Sequence, residues 1–335
     1  MRPDPAKRPQ LPELICAALG RPVAACDRLA VAVSGGPDSL ALLHLAQAGF
    51  AGRVTAITVD HGLRSGSAAE AAGVAAQCAR RGIAHVTLRR DGAAIARNVQ
   101  AQARAARYAL LGDWCLGHGH GLLLTAHHAD DQAETLLMRL NRASGSEGLA
   151  GIRAARRLRP GVWLVRPLLG LRKAELVALA AGAGWQAVDD PSNHDPRHDR
   201  SRMRAALAGS GLDVPALARA AAHLADEAAA LDWAADVAWQ GRVSADGTGA
   251  GASLLLDVRG LPAALVQRML ARAIAELGTR ASRGSDVARL AARLSGGRAG
   301  TLAGVAARPG PLWRLVLANR PQSGGDATEN GYDGR

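Results

Sequence analysis

The feature that most constrains the fold is a glycine-rich hexapeptide, 34–39 (SGGPDS), placed between a short apolar run and a periodic apolar stretch. The apolar run at 29–33 predicts a β-strand, and the stretch beginning near Leu40 predicts a helix. Glycines let the backbone turn sharply and approach a ligand, and the free N–H groups at a helix start attract anions. The hexapeptide therefore predicts a strand-turn-helix unit whose loop binds phosphate or pyrophosphate.

Two familiar phosphate loops do not fit the hexapeptide. A Walker A loop needs a lysine after its last glycine, and the chain's two lysines, Lys7 and Lys173, lie far from it. The dinucleotide fingerprint needs a third glycine and an acid on the second strand. The hexapeptide instead resembles the SGGxDS signature of the PP-loop, or N-type, ATP pyrophosphatases. That resemblance implies that the loop grips the pyrophosphate of ATP while a substrate oxygen or carboxylate attacks the α-phosphorus. The residues expected to bind ATP here are Ser34, Gly35, Gly36, Pro37, Asp38 and Ser39.

Apolar runs alternate with amphipathic stretches from residue 29 to residue 142. This alternation predicts an α/β fold with a mostly parallel sheet and helices on both faces, whose ligands bind at the carboxyl ends of the strands. The PP-loop resemblance implies the same fold, that of the adenine nucleotide alpha hydrolases. The hexapeptide, Asp60-His61 and residues 126–131 all follow predicted strands. Three polar clusters from distant parts of the sequence are therefore expected to meet at one sheet edge.

The chain is expected to divide into four parts. Residues 1–24 form an N-terminal extension, and 25–212 form the catalytic domain, whose 145–210 portion is basic and loop-rich. Alanine-rich helices and two short apolar runs predict a smaller, mainly helical or α+β domain at 213–320, which we assign to tRNA binding. The polar, glycine-rich tail at 321–335 is expected to be disordered.

Charge and cysteine usage narrow the functional class. The formal charge of +12, from 41 basic and 29 acidic residues, favours a polyanionic partner, although a GC-rich genome would also raise the arginine content. The four cysteines contain no Cys-x-x-Cys pair, which argues against disulfides and a structural zinc. No apolar stretch has transmembrane length, and the start lacks a signal peptide, so we expect a cytoplasmic protein without a membrane partner.

Residues 126–135 (AHHADDQAET) form a second polar cluster. Asp130 and Asp131 begin a predicted helix, where they could simply cap free N–H groups and oppose the helix dipole. Together with Glu134 one turn later they also make an oxygen-rich patch of the kind that Mg²⁺ prefers. His127 and His128 lack an evident third ligand for zinc. We interpret the patch as a magnesium site, with Asp38, Asp130 and Asp131 as its candidate ligands.

Several motifs in one order resemble the tRNA(Ile)-lysidine synthase family. They are 60–64 (DHGLR), 104–111 (RAARYALL), 126–135, 142–151 (RASGSEGLAG), 166–169 (RPLL), 190–193 (DPSN) and 200–204 (RSRMR). The resemblance spans roughly residues 25–210 and is weak beyond 213. It implies that ATP adenylates C2 of the wobble cytidine in a CAU-anticodon isoleucine tRNA. Free L-lysine then displaces AMP to form lysidine, which changes codon recognition from AUG to AUA.

The resemblance also implies roles for individual residues. Asp60, His61, Ala126 and His127 are expected beside the nucleotide, although 60–62 could be an ordinary Asp-Gly turn. Candidates for catalysis are Asp38, Asp130, Asp131, Glu134 and Arg104. Candidates for substrate binding are Asp190, Asn193, Arg200 and Arg204. Arg104 would clamp phosphate or cytosine, with a solvated helix face as the alternative. Arginines of 153–159 and 197–204 are expected to contact phosphates.

Three other functions stay open at this point. A PP-loop cytidine thiolase would need cysteines for sulfur or an iron–sulfur cluster. A PP-loop amide synthase would leave the basic segments unexplained. A catalytically inert tRNA-binding protein would be expected to lack Asp38, Asp130 or Asp131, which are all present. The sequence also leaves open whether the chain forms a homodimer.

Overall fold

The computed structural model describes residues 10–60, 62, 66–89, 99–188, 199–246, 253–278 and 284–318. Its contacts cluster into two compact units, Met1–Ala225 and Asp226–Arg335. The first unit contains all of the predicted catalytic domain, and the exact domain limits stay predictions. Within the described ranges, no helix is long and apolar enough to span a membrane.

The first unit is built on a sheet with strand order β3-β2-β1-β4-β6-β5. Its described strands are β1 (Leu29–Ala32), β2 (Val54–Asp60), β3 (Ala84–Arg89), β4 (Leu122–Leu124), β5 (Ala155–Arg159) and β6 (Val162–Val165). The helices are α1 (Leu11–Leu19), α2 (Pro37–Gly49), α3 (Ser67–Arg80), α4 (Val99–Gly117), α5 (Ala129–Leu140), α6 (Ser146–Leu149), α7 (Lys173–Gly182) and α8 (Asp199–Gly209). All neighbouring strands are parallel except β5 and β6. The parallel α/β prediction is confirmed.

Apolar cores on both faces explain why the central strands lack polar residues. Leu122 and Leu124 of β4 pack with α2 and α7 on one face, whereas Leu123 packs beneath α4 on the other. Successive strand residues point to opposite faces, so a strand covered on both sides must be apolar throughout. Strand order reverses between β1 and β4, and the loops after these two strands therefore open the crevice where α/β sheets bind ligands.

The basic segment at 153–159 differs from its prediction. It was expected to be loop-rich, but Ala155–Arg159 forms edge strand β5, antiparallel to β6 and joined to it through Pro160 and Gly161. The Pro-Gly pair between two short runs is a turn signal that could have indicated this hairpin. The high arginine content concealed the strand pattern.

The second unit combines helices with an antiparallel sheet of order β7-β8-β11-β10-β9. The described strands are β7 (Val243–Asp246), β8 (Ser253–Leu256), β9 (Gly300–Leu302), β10 (Val305–Arg308) and β11 (Trp313–Leu317). Helix α9 (Val214–Arg242) runs through the division between the units, and α10 (Ala263–Leu277) and α11 (Gly284–Ser295) follow it. Met269, Leu290 and Trp313 are buried in its core. The sequence predicted two short apolar runs in this part of the chain, and the described sheet has five strands.

Candidate active site

The glycine-rich loop connects β1 to α2, and the Ser39 hydroxyl bridges its two ends. Ser39 Oγ donates to the Gly36 carbonyl at 2.9 Å and accepts the Ser34 N–H at 3.2 Å. Gly35 has φ +86°, which only glycine adopts readily, and its carbonyl accepts the Val188 N–H at 2.9 Å. The free N–H groups at the start of α2 face the same crevice and suit a phosphate group.

His128 lies among three carboxylates where the loops after β1 and β4 meet. Its Nε2 is 3.6 Å from Asp38 Oδ2 and 3.6 Å from Asp131 Oδ2, and its Nδ1 is 3.5 Å from Asp130 Oδ2. The residue is only 3% exposed. Burial alone would lower the pKa of His128, but Asp130, Asp38 and Asp131 raise it to about 9. The His128 ring thus lies between the acidic residues of two loops.

Asp130 and Asp131 have different partners despite their adjacency. Asp130 Oδ2 accepts the Lys173 N–H at 2.8 Å, and both Asp130 oxygens lie 3.3 Å from Arg172 nitrogens. Burial raises the pKa of Asp130, and its contacts with His128, Lys173 and Arg172 lower it well below the usual range. Asp131 Oδ2 accepts the His128 N–H at 3.1 Å, which caps α5. Asp130 therefore joins α5 to α7, while Asp131 and Asp38 both face His128 Nε2.

Glu134 is a buried carboxylate at the wall of a cavity. It is 1% exposed, and its Oε1 accepts the Arg204 Nε–H at 2.7 Å. Its Oε2 has no hydrogen-bond partner within the part of the chain that the structure describes. Burial raises the pKa of Glu134, and Arg204 opposes that rise. The cavity has a volume of about 500 Å³ and carries both signs of charge. Its charged lining residues are Asp130, Glu134, Arg172, Lys173, Arg204 and Asp213.

Arg104 faces the site from α4. Its Nη2 lies 3.4 Å from His127 Nε2 and 3.4 Å from the Tyr108 hydroxyl. Burial lowers the pKa of His127 to about 3, so its ring is neutral. A guanidinium only donates, so His127 Nε2 accepts from Arg104, and the protonated Nδ1 donates to Thr125 Oγ1 at 3.1 Å. Arg104 thus lies beside the residues after β4 rather than on a solvated helix face.

The other predicted residues are placed less completely. Asp60 Oδ1 accepts bonds from the Gly62 N–H at 3.0 Å and from Ser67 Oγ at 2.7 Å, which ties the end of β2 to α3. Arg200 lies on α8. Burial is the main cause that lowers the pKa of Arg104, and the nearby charge of Arg200 lowers it further. Ala126 is half-buried after β4. The predictions for His61, Asp190 and Asn193 lie outside the described residues.

Two further residues were not assigned from sequence. The buried Gln132 binds the Ile152 backbone twice, donating to its carbonyl at 2.9 Å and accepting its N–H at 2.7 Å. Arg166 is 5% exposed, and its Nη1 donates to the Arg153 carbonyl at 2.7 Å. Both residues belong to motifs visible in the sequence, but their partners lie in other parts of the chain.

Comparisons with known proteins agree with this architecture. The PP-loop domain family matches residues 13–210. A tRNA(Ile)-lysidine synthase of Novosphingobium aromaticivorans is 49% identical over 88% of this chain and 90% of its own length. One from Zymomonas mobilis is 39% identical, covering 87% and 88% respectively. Among solved structures, the U34-tRNA thiolase NcsA of Methanococcus maripaludis with its [4Fe-4S] cluster has a TM-score of 0.54 at 17% identity, covering 65% of this chain and 78% of its own. That last likeness concerns the fold alone.

Proposed function

The chain belongs to the tRNA(Ile)-lysidine synthase family, and on this basis we propose that it joins free L-lysine to the wobble cytidine of a CAU-anticodon isoleucine tRNA. ATP is converted to AMP and pyrophosphate in the reaction. The observation that carries the proposal is the meeting of the SGGPDS loop with the acidic start of α5 around His128. A loop suited to the phosphates of ATP and an acidic site suited to an amine thus lie at one sheet edge.

The donor set beside the loop fits Mg²⁺. Asp38 Oδ1 is buried without a hydrogen-bond partner among the described residues, and Asp131 lies across His128 from it. Mg²⁺ usually takes one or two carboxylates from the protein and completes its shell with phosphates and water. When bound, Mg²⁺ would stabilise negative charge on the departing pyrophosphate. Asp130 is already engaged by α7, so Asp38 and Asp131 are the proposed ligands.

The proposed chemistry has two displacements. In the first, the cytidine C2 oxygen forms a bond to the α-phosphorus as the bond to pyrophosphate breaks, and the N–H groups of the loop hold the leaving group. In the second, a lysine amine forms a bond to C2 as the bond between C2 and the AMP oxygen breaks. The amine must lose a proton to a nearby base before or during this attack.

The cavity beside Glu134 supports a lysine site. Free lysine carries one carboxylate and two ammonium groups, and the cavity is lined by both carboxylate and cationic side chains. Glu134 Oε2 has no hydrogen-bond partner among the described residues and is therefore a candidate acceptor for an ammonium group. Because burial raises its pKa, the Glu134 carboxylate is also a stronger base than an exposed one. We therefore propose Glu134 as the residue that binds or deprotonates the amine.

A thiolase reaction has less support. Burial raises the pKa of Cys78 to about 11 and that of Cys115 to about 12, although Arg81 opposes the rise at Cys78, so neither forms a thiolate readily. Both lie near the C-terminal ends of α3 and α4, and Cys26 precedes β1. These positions are at the amino edge of the sheet, opposite the loop.

The test is incorporation of labelled lysine into an isoleucine tRNA transcript with a CAU anticodon, in the presence of ATP and Mg²⁺. We expect incorporation by the unaltered protein, none into a methionine tRNA with the same anticodon, and a loss of at least about 100-fold in Asp38→Asn. Asp113→Asn is the matched control, because Asp113 forms a surface ion pair with Arg159 at 2.7 Å. Pyrophosphate release without lysine incorporation would overturn the choice of nucleophile, and absence of both would overturn the proposed function.

A further inference from the structure

Four arginines gather at Tyr108 at the edge of the site, three beside its ring and one at its hydroxyl, and we propose that this Tyr108 arginine cluster binds a backbone phosphodiester of the substrate RNA. The cluster consists of Arg104, Arg107, Arg156 and Arg166. The inference rests on the proposed function and deepens it, because it assigns a contact that holds the RNA beside the nucleotide loop. The ligand class is a phosphate group within a polynucleotide, distinct from the phosphates of ATP.

The cluster draws its arginines from three separate parts of the fold. The guanidinium carbons of Arg104 and Arg107 on α4 lie 5.1 and 5.6 Å from the Tyr108 ring centroid, and that of Arg156 on β5 lies 5.4 Å from it. Arg166 follows β6 directly; burial lowers its pKa, and its hydrogen bond with Tyr108 opposes that fall. The ring faces attract cations, and this attraction orients several guanidinium groups toward one place. A general basic surface would have no reason to converge on one ring.

Among the described residues, the cluster has no carboxylate counter-charge. Within the described ranges, none of the four guanidinium groups forms an ion pair with a carboxylate, whereas Arg159 pairs with Asp113 and Arg204 with Glu134. Burial lowers the pKa of Arg104, Tyr108 raises it, and the charges of Arg107, Arg200 and Arg166 lower it further. Like charges held this closely repel one another in a site of reduced dielectric constant. An anion from outside the described chain would relieve that repulsion.

Arg166 supplies an independent sign that a ligand is missing. The residue is 5% exposed, and its Nε is buried without a hydrogen-bond partner in the described part of the chain. Unpaired donors of this kind are rare because each costs free energy. Its Nη1 is held by the Arg153 carbonyl at 2.7 Å, so the group has a fixed position from which to receive an acceptor. The planar guanidinium fork matches phosphate oxygens.

The position of the cluster favours RNA over ATP. The SGGPDS loop and the start of α2 already offer a cradle for the phosphates of ATP on the β1 side of the crevice. The cluster lies on the β4-β6-β5 side and joins the site through the contact between Arg104 and His127 at 3.4 Å. A cytidine that presents its base to the α-phosphorus must bring its own backbone phosphates close by. The cluster is where such a phosphate would meet several guanidinium groups.

The experiment measures the salt dependence of tRNA binding. We would determine the dissociation constant of the isoleucine tRNA transcript over a range of salt concentrations for the unaltered protein, Arg107→Gln, Arg156→Gln and the double variant. Each lost phosphate contact is expected to lower the steepness of log Kd against log salt by about 0.7, the value for single strands. Loss of one charged hydrogen bond is also expected to weaken binding about 10-fold or more at fixed salt. The dissociation constant for ATP is expected to stay unchanged.

Arg80→Gln is the matched control. Arg80 is exposed at the C-terminal end of α3, so the Arg80→Gln substitution removes one positive charge far from the crevice. An equal change of slope in Arg80→Gln would show that only net charge matters and would overturn the proposal. Weaker ATP binding with unaltered tRNA binding would assign the cluster to the nucleotide and overturn it as well. Arg156 is exposed, so Arg156→Gln keeps the test valid if Arg107→Gln does not fold.

The outcome also separates this inference from the proposed function. If the unaltered protein incorporates lysine but the variants keep its salt slope and affinity, only the phosphodiester site is refuted. If the unaltered protein neither binds the tRNA nor incorporates lysine, the proposed function fails and this inference fails with it.

Discussion

Replacing Gly35 and Gly36 by alanine, one at a time, separates backbone conformation from ligand approach. Gly35 has φ +86°, and a Cβ there would lie 3.3 Å from Val74 Cγ2. The left-handed conformation and the crowding together are expected to cost about 1–3 kcal/mol of unfolding free energy in Gly35→Ala. For a unit of this size that loss corresponds to a decrease in Tm of about 2–12 °C.

Gly36 allows an alanine side chain in the absence of ligand. Its φ is −73° and its ψ is 161°, and the nearest atom to an added Cβ is Ser34 Oγ at 3.7 Å. Reduced freedom of the unfolded chain stabilises alanine by about 0.4–1 kcal/mol, and the preference for glycine over alanine at a helix N-cap opposes this gain. We therefore expect the Tm of Gly36→Ala to change little. Its ATP affinity is expected to fall at least about 10-fold, which corresponds to the loss of one hydrogen bond to a phosphate.

The assay pairs thermal unfolding, followed by circular dichroism, with ATP titration by calorimetry on both variants. An unchanged ATP affinity in Gly36→Ala would refute the reasoning that phosphates approach this backbone. An unchanged Tm in Gly35→Ala would refute the strain argument. Because the two glycines are adjacent, a general disturbance of the loop would affect both variants alike and would be recognised by that pattern.

Three further predictions concern the acidic helix α5. Asp131→Asn is expected to raise the Mg²⁺ concentration for half-maximal lysine incorporation at least 10-fold. Asp130→Asn is expected to lower the unfolding free energy by about 1.5–3 kcal/mol, because the neutral amide loses the charged contacts with His128 and Arg172. Equal Mg²⁺ dependence in both variants would contradict this division of roles. Arg204→Ala leaves the buried Glu134 carboxylate unpaired and is expected to lower the free energy of urea unfolding by about 2–4 kcal/mol. The double variant Arg204→Ala/Glu134→Gln is expected to recover part of that loss, and additive losses would argue against a coupled pair. Gln132→Ala removes two buried hydrogen bonds and is expected to lower the free energy of unfolding by about 2–4 kcal/mol, while the folded protein keeps its ATP affinity. Loss of ATP binding in calorimetry would instead assign Gln132 to the site itself.

Sequence reasoning succeeded where the determining residues are contiguous. The SGGPDS loop contains its own turn residues and its own closing hydroxyl, Ser39, so strand, turn and helix could be predicted from one short window. The parallel sheet followed from repeated local patterns. Both depend on short-range physical chemistry, such as glycine conformation, side-chain periodicity and helix N-termini.

Long-range pairing set the limit of prediction. Asp130 and Asp131 look equivalent in the sequence, but Asp130 meets Arg172 from 42 residues away. Glu134 meets Arg204 across 70 residues, and that ion pair could not be inferred from spacing. Tyr108 attracts arginines from α4 and β5 only because the sheet places those elements together. Such contacts are consequences of topology, so they appear only once the fold is known.

The arginine-rich strand β5 has a consequence for solubility. It is an edge of the parallel sheet, and no described strand pairs with its outer side. Unpaired edges offer backbone groups to other chains, and charged side chains are one way in which proteins prevent such pairing. Arg156 and Arg157 place two positive charges on this edge, so copies of the strand repel one another before their backbones can meet. The same residues that make the strand hard to recognise thus protect the protein from aggregation.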